Sequence, residues 1–334
     1  MIGYYVHHQG SGHLHRAAAL ATALDIPVTG LSSLPRPREW PGSWVDLARD
    51  DDGPLHQDLT AGGRLHWAPV RHPGLAFRMA EIASWIHHVS PELMVVDVSV
   101  EVALLARLLG IPVVLVVLPG SRGDAPHRLA FDTAEQLVAL WPDQAPGMLR
   151  DVPAEVEERL RPIGALSRFP VRPGPVRRDR PEGSGRVTVL LGSGGDSVTP
   201  EQLAAARGQT PGWTWTVLGG AEGIWEEDPE SAIADADVVV THAGQNAVAE
   251  VAALRRPAIV VPQPRPHDEQ VTTAAALRRG PWPVLVEDDL PVEGWAERLE
   301  RATALDGDGW SSWCDGAAAR RFAGIVESVL GGRR

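Results

Sequence analysis

The sequence predicts an α/β protein with two doubly wound domains, each built on a parallel sheet. Short apolar runs alternate with longer helical patterns along the chain, which is typical of parallel strands joined by crossover helices. Residues 170–186, rich in proline, glycine and arginine, interrupt this alternation and indicate an interdomain linker. The 334 residues suffice for about two domains of ordinary size. We expect domains at 1–169 and 187–311 that face each other across a cleft, followed by a C-terminal segment at 312–334.

The first half begins with a strand and alternates strands with helices. Apolar runs predict five strands: Ile2–Val6, Pro27–Gly30, Leu65–Pro69, Leu93–Asp97 and Val113–Leu118. Helical periodicity predicts four helices: His13–Leu24, Gly74–His88, Val100–Leu109 and His127–Leu140.

The second half repeats the alternation after the linker. Five further strands are predicted: Val187–Leu191, Trp213–Leu218, Asp237–Thr241, Ala258–Pro262 and Val284–Val286. Helical segments lie between these strands, and a last helix is predicted from about Ser312 to Leu330.

Composition excludes several enzyme classes. All 31 residues counted as lysine or arginine are arginine, so the chain lacks a Walker-type lysine, a Schiff-base lysine and the strand lysine of protein kinases. A net charge of −12 disfavours sequence-independent binding to nucleic acid phosphates. Cys314 is the only cysteine, which excludes an internal disulfide and a zinc site built on several cysteines.

Each half opens with a strand that leads into a glycine-rich loop and then a helix. The loops are HHQGSGHLHR at 7–16 and LLGSGGDS at 190–197. Glycines let a ligand approach the backbone closely, and helix N-terminal amides favour an anion, so Gly12 is a candidate ligand contact. Each loop alone is equally consistent with a tight strand-to-helix turn.

A sharper pattern lies between Asp235 and Leu277. A helix begins near Gly244 with small residues at its N-terminus, so its amides can receive a diphosphate without a cation. Glu250, nearly two turns further on, can accept hydrogen bonds from a ribose diol or can be a solvated charge. Three side chains at the start of the next helix suit sugar hydroxyls: Asp268, Glu269 and Gln270. Asp268 can equally cap that helix.

The pattern strand–HAGQNAVAE–strand–P–HDEQ resembles the donor-binding region of family 28 and related GT-B glycosyltransferases, which include the enzyme that forms lipid II. The similarity is clear over about 187–277 and looser in the first half, where it rests on GSGHLHR and the strand order. It implies a GT-B fold of two Rossmann-like domains, with the acceptor in the N-terminal domain and a nucleotide sugar in the C-terminal domain. It also implies that the C-terminal helix packs back on the N-terminal domain.

The resemblance implies roles for individual residues. Glu250 matches the ribose-binding glutamate of the family, and His242 stands where several relatives have a histidine near the diphosphate. Glu269 and Gln270 match paired glutamines that hold the sugar; the first is glutamate here, which leaves the sugar open. The other implied donor contacts lie in the loops around the base and the diphosphate: Ser193, Gly194, Gly195, Ile224, Trp225, Ala243, Gly244, Gln245 and Asn246. Trp225 can equally be a packing residue.

His13 is the candidate general base. It follows Gly12 directly at the start of the first helix, and an imidazole can take a proton from an acceptor hydroxyl. A carboxylate should orient the ring, either Asp97 at a strand end or Glu101 at the start of the following helix. His13 can also be a structural residue that caps or packs the helix.

Three functions remain open. The leading one is an inverting glycosyltransferase that uses a UDP-sugar or related nucleotide sugar, with no metal and no cofactor. GSGHLHR also resembles the GxGHxxR loop of nucleotide-sugar hydrolases from pseudaminic acid synthesis, where a histidine activates water. The third is a catalytically silent protein that binds nucleotide sugars.

The acceptor is not indicated by the sequence: a small molecule, a saccharide and a lipid-linked compound all remain open. We expect Trp40–Leu59 and Pro119–His127 to line its pocket. The Asp50–Asp52 run predicts a solvated loop rather than a metal site.

The N-terminal residues lack a basic-then-apolar signal pattern. The most apolar stretch, residues 98–118, contains Glu101, Arg107 and a Gly-Ile-Pro break, unlike a membrane span. We therefore expect a cytoplasmic protein, and peripheral contact with a membrane remains open.

Overall fold

A computed structural model of the chain describes residues 1–52, 58–174, 181–192, 198–220, 223 and 229–332. The chain divides into two compact units. The first comprises Met1–Leu140, Leu149–Ile163 and Ala319–Arg334; the second comprises Trp141–Met148 and Gly164–Ala318. The main part of the second unit thus begins before the segment expected to be a linker, and it includes residues from the predicted first domain.

The first unit contains a seven-stranded parallel sheet and a two-stranded parallel pair. Its strands are β1 Ile2–Tyr5, β2 Val28–Ser32, β3 Ser43–Asp46, β4 Leu93–Asp97, β5 Val113–Val117, β6 Gly120–Ser121, β7 Gln136–Ala139, β8 Leu149–Arg150 and β9 Leu160–Pro162. The order in the large sheet is β3-β2-β1-β4-β5-β7-β9, and β6 pairs with β8. The central strands β1, β4 and β5 are buried along their whole length, as their continuous apolar sequences require.

The second unit contains a five-stranded parallel sheet. Its strands are β10 Gly185–Leu190, β11 Trp213–Leu218, β12 Val238–Thr241, β13 Ala258–Val260 and β14 Val284–Val286. The order is β11-β10-β12-β13-β14. One side of this sheet packs against a core that includes Trp213, Trp295 and Leu299.

Helices connect the strands in both sheets. They are α1 Ser11–Thr22, α2 Pro73–Val89, α3 Val100–Leu108, α4 Ala125–Thr133, α5 Ala154–Arg159, α6 Pro200–Gln209, α7 Glu230–Asp235, α8 Gln245–Ala253, α9 Glu269–Arg279, α10 Trp295–Thr303 and α11 Ala318–Gly331. Short 3-10 turns cover Pro266–Asp268 and Gly307–Ser312. The last helix therefore begins at Ala318 rather than near Ser312, and nearly all of it belongs to the first unit.

Two element predictions in the first half are wrong. Leu65–Pro69 is irregular, because the amides of His66 and Trp67 donate to the Glu101 carboxylate rather than to a strand. The predicted helix His127–Leu140 ends early: α4 stops at Thr133 and Gln136–Ala139 forms β7. A short apolar run of this kind fits a strand and a helix equally well.

Among the strands that the sequence did not predict is β3, an edge strand whose side chains are half or fully exposed. Its sequence, SWVD, carries little of the apolar signal that marks a buried strand.

In the described part of the chain, every helix is too short or too polar to cross a membrane.

Candidate active site

The strand order of the first sheet reverses beside β1, which has β2 on one side and β4 on the other. In doubly wound sheets, ligands bind beyond the carboxyl ends of the strands at such a point. His13 lies in α1, which follows β1, and Asp97 is the last residue of β4. The topology therefore brings these two predicted residues to the place where a ligand site is expected.

Gly10 sets the start of α1. It occupies the N-cap position with φ of 96°, a backbone conformation that glycine adopts without the strain of a side chain. His13 lies in the first turn of the helix, and its backbone N–H donates to the Gly10 carbonyl at 3.4 Å. The glycine-rich loop thus fixes where the imidazole leaves the backbone.

His13, Asp97 and Arg16 form one polar cluster. His13 Nδ1 lies 2.6 Å from Asp97 Oδ2, and Arg16 Nη2 donates to Asp97 Oδ1 at 2.6 Å. Asp97 is fully buried. Burial raises the pKa of Asp97, but the Arg16 guanidinium and His13 outweigh it and hold the pKa at about 2. The carboxylate is therefore ionised and can only accept hydrogen bonds.

The ionised Asp97 decides which nitrogen of the neutral His13 ring carries the proton. Since an acceptor faces Nδ1, that nitrogen is the protonated one, and Nε2 then presents a lone pair. Arg16 Nη2 lies 2.8 Å from His13 Nδ1 because both groups donate to the same carboxylate. The His13 side chain is 17% exposed, so the ring is accessible. This arrangement is that of a histidine oriented as a base by an aspartate.

Asp97, rather than Glu101, is the carboxylate that contacts His13. Glu101 instead accepts the backbone N–H groups of His66 and Trp67 at 2.8 and 3.1 Å. Arg16 is the arginine of the GSGHLHR motif, three residues after His13 and one turn along the same helix, but the motif alone assigned it no role.

The second sheet reverses beside β10, which lies between β11 and β12. His242 directly follows β12, and Gly244 is the N-cap of α8. His242 Nδ1 accepts the Gly244 N–H at 3.0 Å and lies 3.2 Å from Gln270 Nε2. Gln270 Oε1 accepts the Gln263 N–H at 2.9 Å, so its Nε2 is the donor to the ring.

These hydrogen bonds make His242 the opposite tautomer of His13. Because Nδ1 accepts, the neutral ring carries its proton on Nε2. Burial, followed by the Arg265 charge, lowers the pKa of His242 to about 4, so the ring stays neutral near pH 7. A Cβ added to Gly192 would lie 2.8 Å from Nε2, so this ring packs against the glycine loop that follows β10.

Glu250 projects from α8 and is only 8% exposed. Its Oε1 accepts from Arg168 Nε at 2.9 Å. The structure therefore places Glu250 in a buried ion pair rather than in a solvated helix surface. Arg168 lies 82 residues from Glu250 in the sequence, outside the motif that resembles family 28. No pattern in the sequence indicated a role for it.

The loop before α9 has an unusual backbone. His267 and Asp268 have positive φ values of 59° and 57°, conformations that cost non-glycine residues free energy and often occur at functional sites. Asp268 occupies the N-cap position, but its side chain makes no capping hydrogen bond. Glu269 is the first residue of α9, and Gln270 is buried.

The remaining predicted contacts fall into two groups. Within the described residues, Ala243 is fully buried, Gln245 and Asn246 begin α8, and Gly12 lies in the first turn of α1. Five predicted contacts lie outside the described residues: Ser193, Gly194, Gly195, Ile224 and Trp225.

The Asp50–Asp52 run departs from the predicted solvated loop at its first residue only, since Asp51 and Asp52 are exposed. Asp50 is buried and lies 3.0 Å from Arg78 Nη1 and 3.3 Å from His8 Nε2. The cause is Arg78, which α2 buries almost completely and which requires a carboxylate partner.

His66, Asp124 and His127 are close enough to be considered as a metal site. Arg122 Nη1 lies 3.1 Å from His127 Nε2, and Asp124 lies 2.8 Å from His127 Nδ1. Arginine can only donate, so Nε2 accepts and Nδ1 donates to Asp124. Both ring nitrogens of His127 are engaged, which disfavours a metal at this cluster.

A cavity of about 490 Å³ opens in the first unit. Its wall comes from the end of β1 and the loop after it, from Asp50 and Asp51, from α2 and from the start of α3. His7 belongs to this wall, and its ring centroid lies 5.4 Å from that of His13. The cavity therefore adjoins the His13–Asp97 cluster.

The chain is similar to known proteins in sequence and in fold. Residues 226–280 match the glycosyltransferase family 28 C-terminal domain. A UDP-N-acetylglucosamine--N-acetylmuramyl-(pentapeptide) pyrophosphoryl-undecaprenol N-acetylglucosamine transferase of Cupriavidus necator is 29% identical over 224 residues. That match covers 60% of this chain and 60% of the relative.

Two solved structures share the fold over nearly the whole chain. Acinetobacter baumannii MurG has a TM-score of 0.63 at 16% identity, covering 98% of this chain and 99% of that one. The spinosyn forosaminyltransferase SpnP has a TM-score of 0.66 at 14% identity, covering 99% of each chain. This is a GT-B protein that resembles the family 28 glycosyltransferases. The family match of this GT-B protein includes His242, Glu250 and Gln270, whereas the His13–Asp97 cluster lies outside it.

Proposed function

We propose that this GT-B protein is an inverting glycosyltransferase that moves a sugar from a UDP-sugar or related nucleotide sugar to an acceptor hydroxyl. The observation that carries the proposal is the 2.6 Å contact between His13 Nδ1 and Asp97. It leaves Nε2 as the basic nitrogen of a ring that is held in one orientation. The first unit would supply the base and the acceptor site, and the second would supply the donor site.

The proposed reaction is a single displacement. His13 Nε2 accepts the proton of the acceptor hydroxyl while the hydroxyl oxygen forms a bond to the anomeric carbon. The bond between that carbon and the diphosphate oxygen breaks, and the nucleotide diphosphate leaves with the electron pair. Asp97 stabilises the imidazolium that results, and Arg16 keeps Asp97 ionised. Attack from the face opposite the leaving group inverts the anomeric configuration.

The proposed nucleotide-sugar site binds the diphosphate through uncharged hydrogen-bond donors. The α8 N-terminus can bind an anion through its amides, and the Nε2–H of His242 adds a directed donor. Glu250 would accept from the ribose diol while Arg168 fixes its carboxylate, and Glu269 and Gln270 would contact the sugar. Because helix amides neutralise part of the diphosphate charge, we propose that neither a metal nor a cofactor is needed.

We place the reaction in the cytoplasm, and the acceptor can be a small molecule, a saccharide or a lipid-linked compound. A lipid-linked acceptor would bring the protein to a membrane surface.

The test is a panel of nucleotide sugars with cell extract as the acceptor source, read by mass spectrometry and run with and without EDTA. The proposal expects a glycosylated product whose formation survives EDTA, with the anomeric configuration inverted in NMR spectra of that product. Free sugar released at full rate without any acceptor would instead identify a hydrolase that uses His13 to activate water. Binding of UDP without turnover under either condition would identify a silent binder.

A further inference from the structure

The cavity in the first unit has the size of an ordinary small-molecule site. Its volume of about 490 Å³ falls within the usual range for ligand pockets. It adjoins the proposed base through His7, as described above. The chemistry of its wall therefore indicates which compounds could present a hydroxyl to His13.

The wall carries more negative than positive charge. Three carboxylates line it, Asp50, Asp51 and Glu101, together with one guanidinium, that of Arg78. Burial lowers the pKa of His7 to about 3, and burial together with the Arg78 charge lowers the pKa of His8. Both rings are therefore neutral near pH 7.

Arg78 is committed to groups of the protein itself. Its Nε donates to the Ala48 carbonyl at 3.1 Å, Nη1 donates to the Tyr5 hydroxyl at 3.1 Å, and Nη2 donates to Ser33 Oγ. Nη1 also lies 3.0 Å from Asp50 Oδ1. With every nitrogen of this guanidinium engaged, Arg78 is poorly suited to bind a phosphate.

Glu101 is the carboxylate of this wall whose negative charge is best placed to attract a cationic ligand. It accepts hydrogen bonds from neutral donors, the amides of His66 and Trp67 and the Ser99 hydroxyl. Asp50 by contrast is paired with Arg78, and Asp51 with Arg49, whose Nη2 lies 2.6 Å from Oδ2. A carboxylate that is anchored but not neutralised can attract a cationic group of a ligand.

The same wall contains two unsatisfied polar atoms. His8 Nε2 and Asp50 Oδ1 are buried and lie 3.3 Å apart, with Arg78 Nη1 3.0 Å from the same oxygen, but neither atom makes a hydrogen bond of adequate geometry among the described residues. Both side chains are more than nine-tenths buried. Such atoms cost free energy when they stay unpaired, and a polar ligand in the cavity could supply partners.

A metal ion is the alternative occupant of this acidic wall, since His8, Asp50 and Asp51 are suitably close. Arg78 Nη1 lies 3.2 Å from His8 Nδ1, and arginine can only donate, so Nδ1 accepts and Nε2 carries the proton. A protonated Nε2 has no lone pair for a metal. The arrangement therefore favours an organic cation or a hydroxyl over a metal ion.

From the charge of the wall and its unsatisfied atoms we infer that the cavity binds the acceptor and selects a polyhydroxylated compound with a protonated amino group, held by Glu101. This inference rests on the proposed glycosyl transfer. An acceptor with a phosphate or diphosphate beside the reacting hydroxyl would meet carboxylates in this cavity and a guanidinium that is already engaged. The acidic wall of this cavity thus distinguishes the chain from a transferase that binds a pyrophosphoryl-linked acceptor at the same place.

The test compares four sugars that share one ring: glucosamine, N-acetylglucosamine, glucose and glucose 6-phosphate. Their binding to the full chain is measured by NMR titration with saturating UDP, which occupies the donor site. Glucosamine should bind about tenfold more tightly than glucose or N-acetylglucosamine, the usual gain from one charge-assisted hydrogen bond, and glucose 6-phosphate should bind weakest. Equal affinities, or strongest binding of the phosphate, would overturn the inference.

Glu101→Gln supplies the matched variant, because glutamine keeps an oxygen for the amides of His66 and Trp67. It should bring glucosamine and glucose to within about twofold of each other, while Glu155→Gln, an exposed position on α5, should keep the full preference. A preference that survives Glu101→Gln would contradict the assignment of that residue. If the variant does not fold, the four sugars on the wild type decide alone.

UDP affinity, measured in the same titrations, separates the two proposals. Normal UDP binding without an amine preference would refute only the acceptor class. Failure of UDP and of the other nucleoside diphosphates to bind the wild type would refute the proposed function itself.

Discussion

His13 and His242 each follow a strand that flanks the reversal point of its sheet, β1 in the first unit and β12 in the second, yet their hydrogen bonds give them opposite chemistry. An ionised carboxylate faces Nδ1 of His13, so in the neutral ring Nε2 carries the lone pair. An amide N–H donates to Nδ1 of His242, so its Nε2 is a hydrogen-bond donor.

The difference shows that the partner of one ring nitrogen decides what the other can do. A base suits an acceptor hydroxyl, and a neutral donor suits a diphosphate. Burial and the Arg265 charge lower the pKa of His242 and keep its ring neutral, whereas at His13 the buried Asp97 carboxylate fixes which ring nitrogen carries the proton.

The largest effect should follow from removing the proposed base. In His13→Ala the rate of the chemical step should fall by roughly 10²–10⁴-fold, the usual contribution of a positioned general base. UDP affinity should hardly change, because the proposed nucleotide contacts belong to the second unit. Both are measured on folded protein with the donor and acceptor that the panel identifies.

His87→Ala is the matched control, since His87 is an exposed histidine near the end of α2 in the same unit. Its turnover should equal that of the wild type. A His13→Ala protein that is less stable but turns over normally would show that His13 only packs or caps α1.

The next largest effect should follow from Asp97→Asn. An asparagine amide can donate to Nδ1, which would move the ring proton to Nε2 and remove the basic lone pair. Turnover should fall by roughly 10²–10³-fold, and stability should fall because Arg16 loses its ionised partner. Turnover per folded molecule and the midpoint of urea unfolding measure the two effects.

Asp132→Asn, at an exposed position of α4, is the control for the same change of side chain. Unchanged turnover in Asp97→Asn would mean that the carboxylate does not set the tautomer.

Acid should destabilise the two sites in different pH windows. The folded-state pKa of His242 is about 4, below its ordinary value of 6.5, so the unfolded chain takes up this proton first and stability falls between those values. Each pH unit in that window corresponds to about 1.4 kcal/mol. As the pH falls from 6.5 to 4, His242 alone should therefore lower the free energy of unfolding by on the order of 3 kcal/mol. The folded-state pKa of Asp97 is about 2, below its ordinary value of 3.8, so protonation of Asp97 destabilises the fold only below about pH 3.8.

Urea unfolding across pH checks this difference. The pKa values of His7 and His127 are also lowered to about 3, so they contribute to the decline and the comparison must be with His242→Gln. That variant should lose less stability than the wild type between pH 6.5 and 4. Equal losses would contradict a buried neutral His242.

The smallest effect concerns the nucleotide ribose. If Glu250 accepts from the ribose diol, UDP should bind more tightly than 2′-deoxy-UDP by about 1.5–3 kcal/mol. Glu250→Ala should remove most of that preference in calorimetric titrations. Glu230→Ala, which breaks the ion pair with Arg172 in the same unit, should keep it. Equal affinity of the wild type for both nucleotides would rule out the assignment.

Local sequence was sufficient for the buried central strands and for the start of the site helices. β4 has its predicted bounds, since four buried apolar residues lead to Asp97, and the glycine loop correctly places His13 in the first turn of α1. β3 and β7 were missed because one is an exposed edge strand and the other follows a helix without a glycine or proline break.

The hydrogen-bond partners could not be predicted from local sequence. Asp97 is 84 residues from His13, Gln270 is 28 residues from His242, and Arg168 is 82 residues from Glu250. Two carboxylates were candidates for orienting His13, and only packing distinguishes them, because Glu101 is occupied by backbone amides. The burial of Asp50 likewise depends on Arg78, which no motif connects to it.

The most direct test of the comparison is ¹⁵N NMR of the histidine rings, which distinguishes a protonated from an unprotonated ring nitrogen. Spectra are recorded under mildly alkaline conditions, where ordinary histidines are neutral, and His13→Ala and His242→Gln assign the signals. The account predicts a proton on Nδ1 of His13 and on Nε2 of His242. The same tautomer in both rings would contradict it.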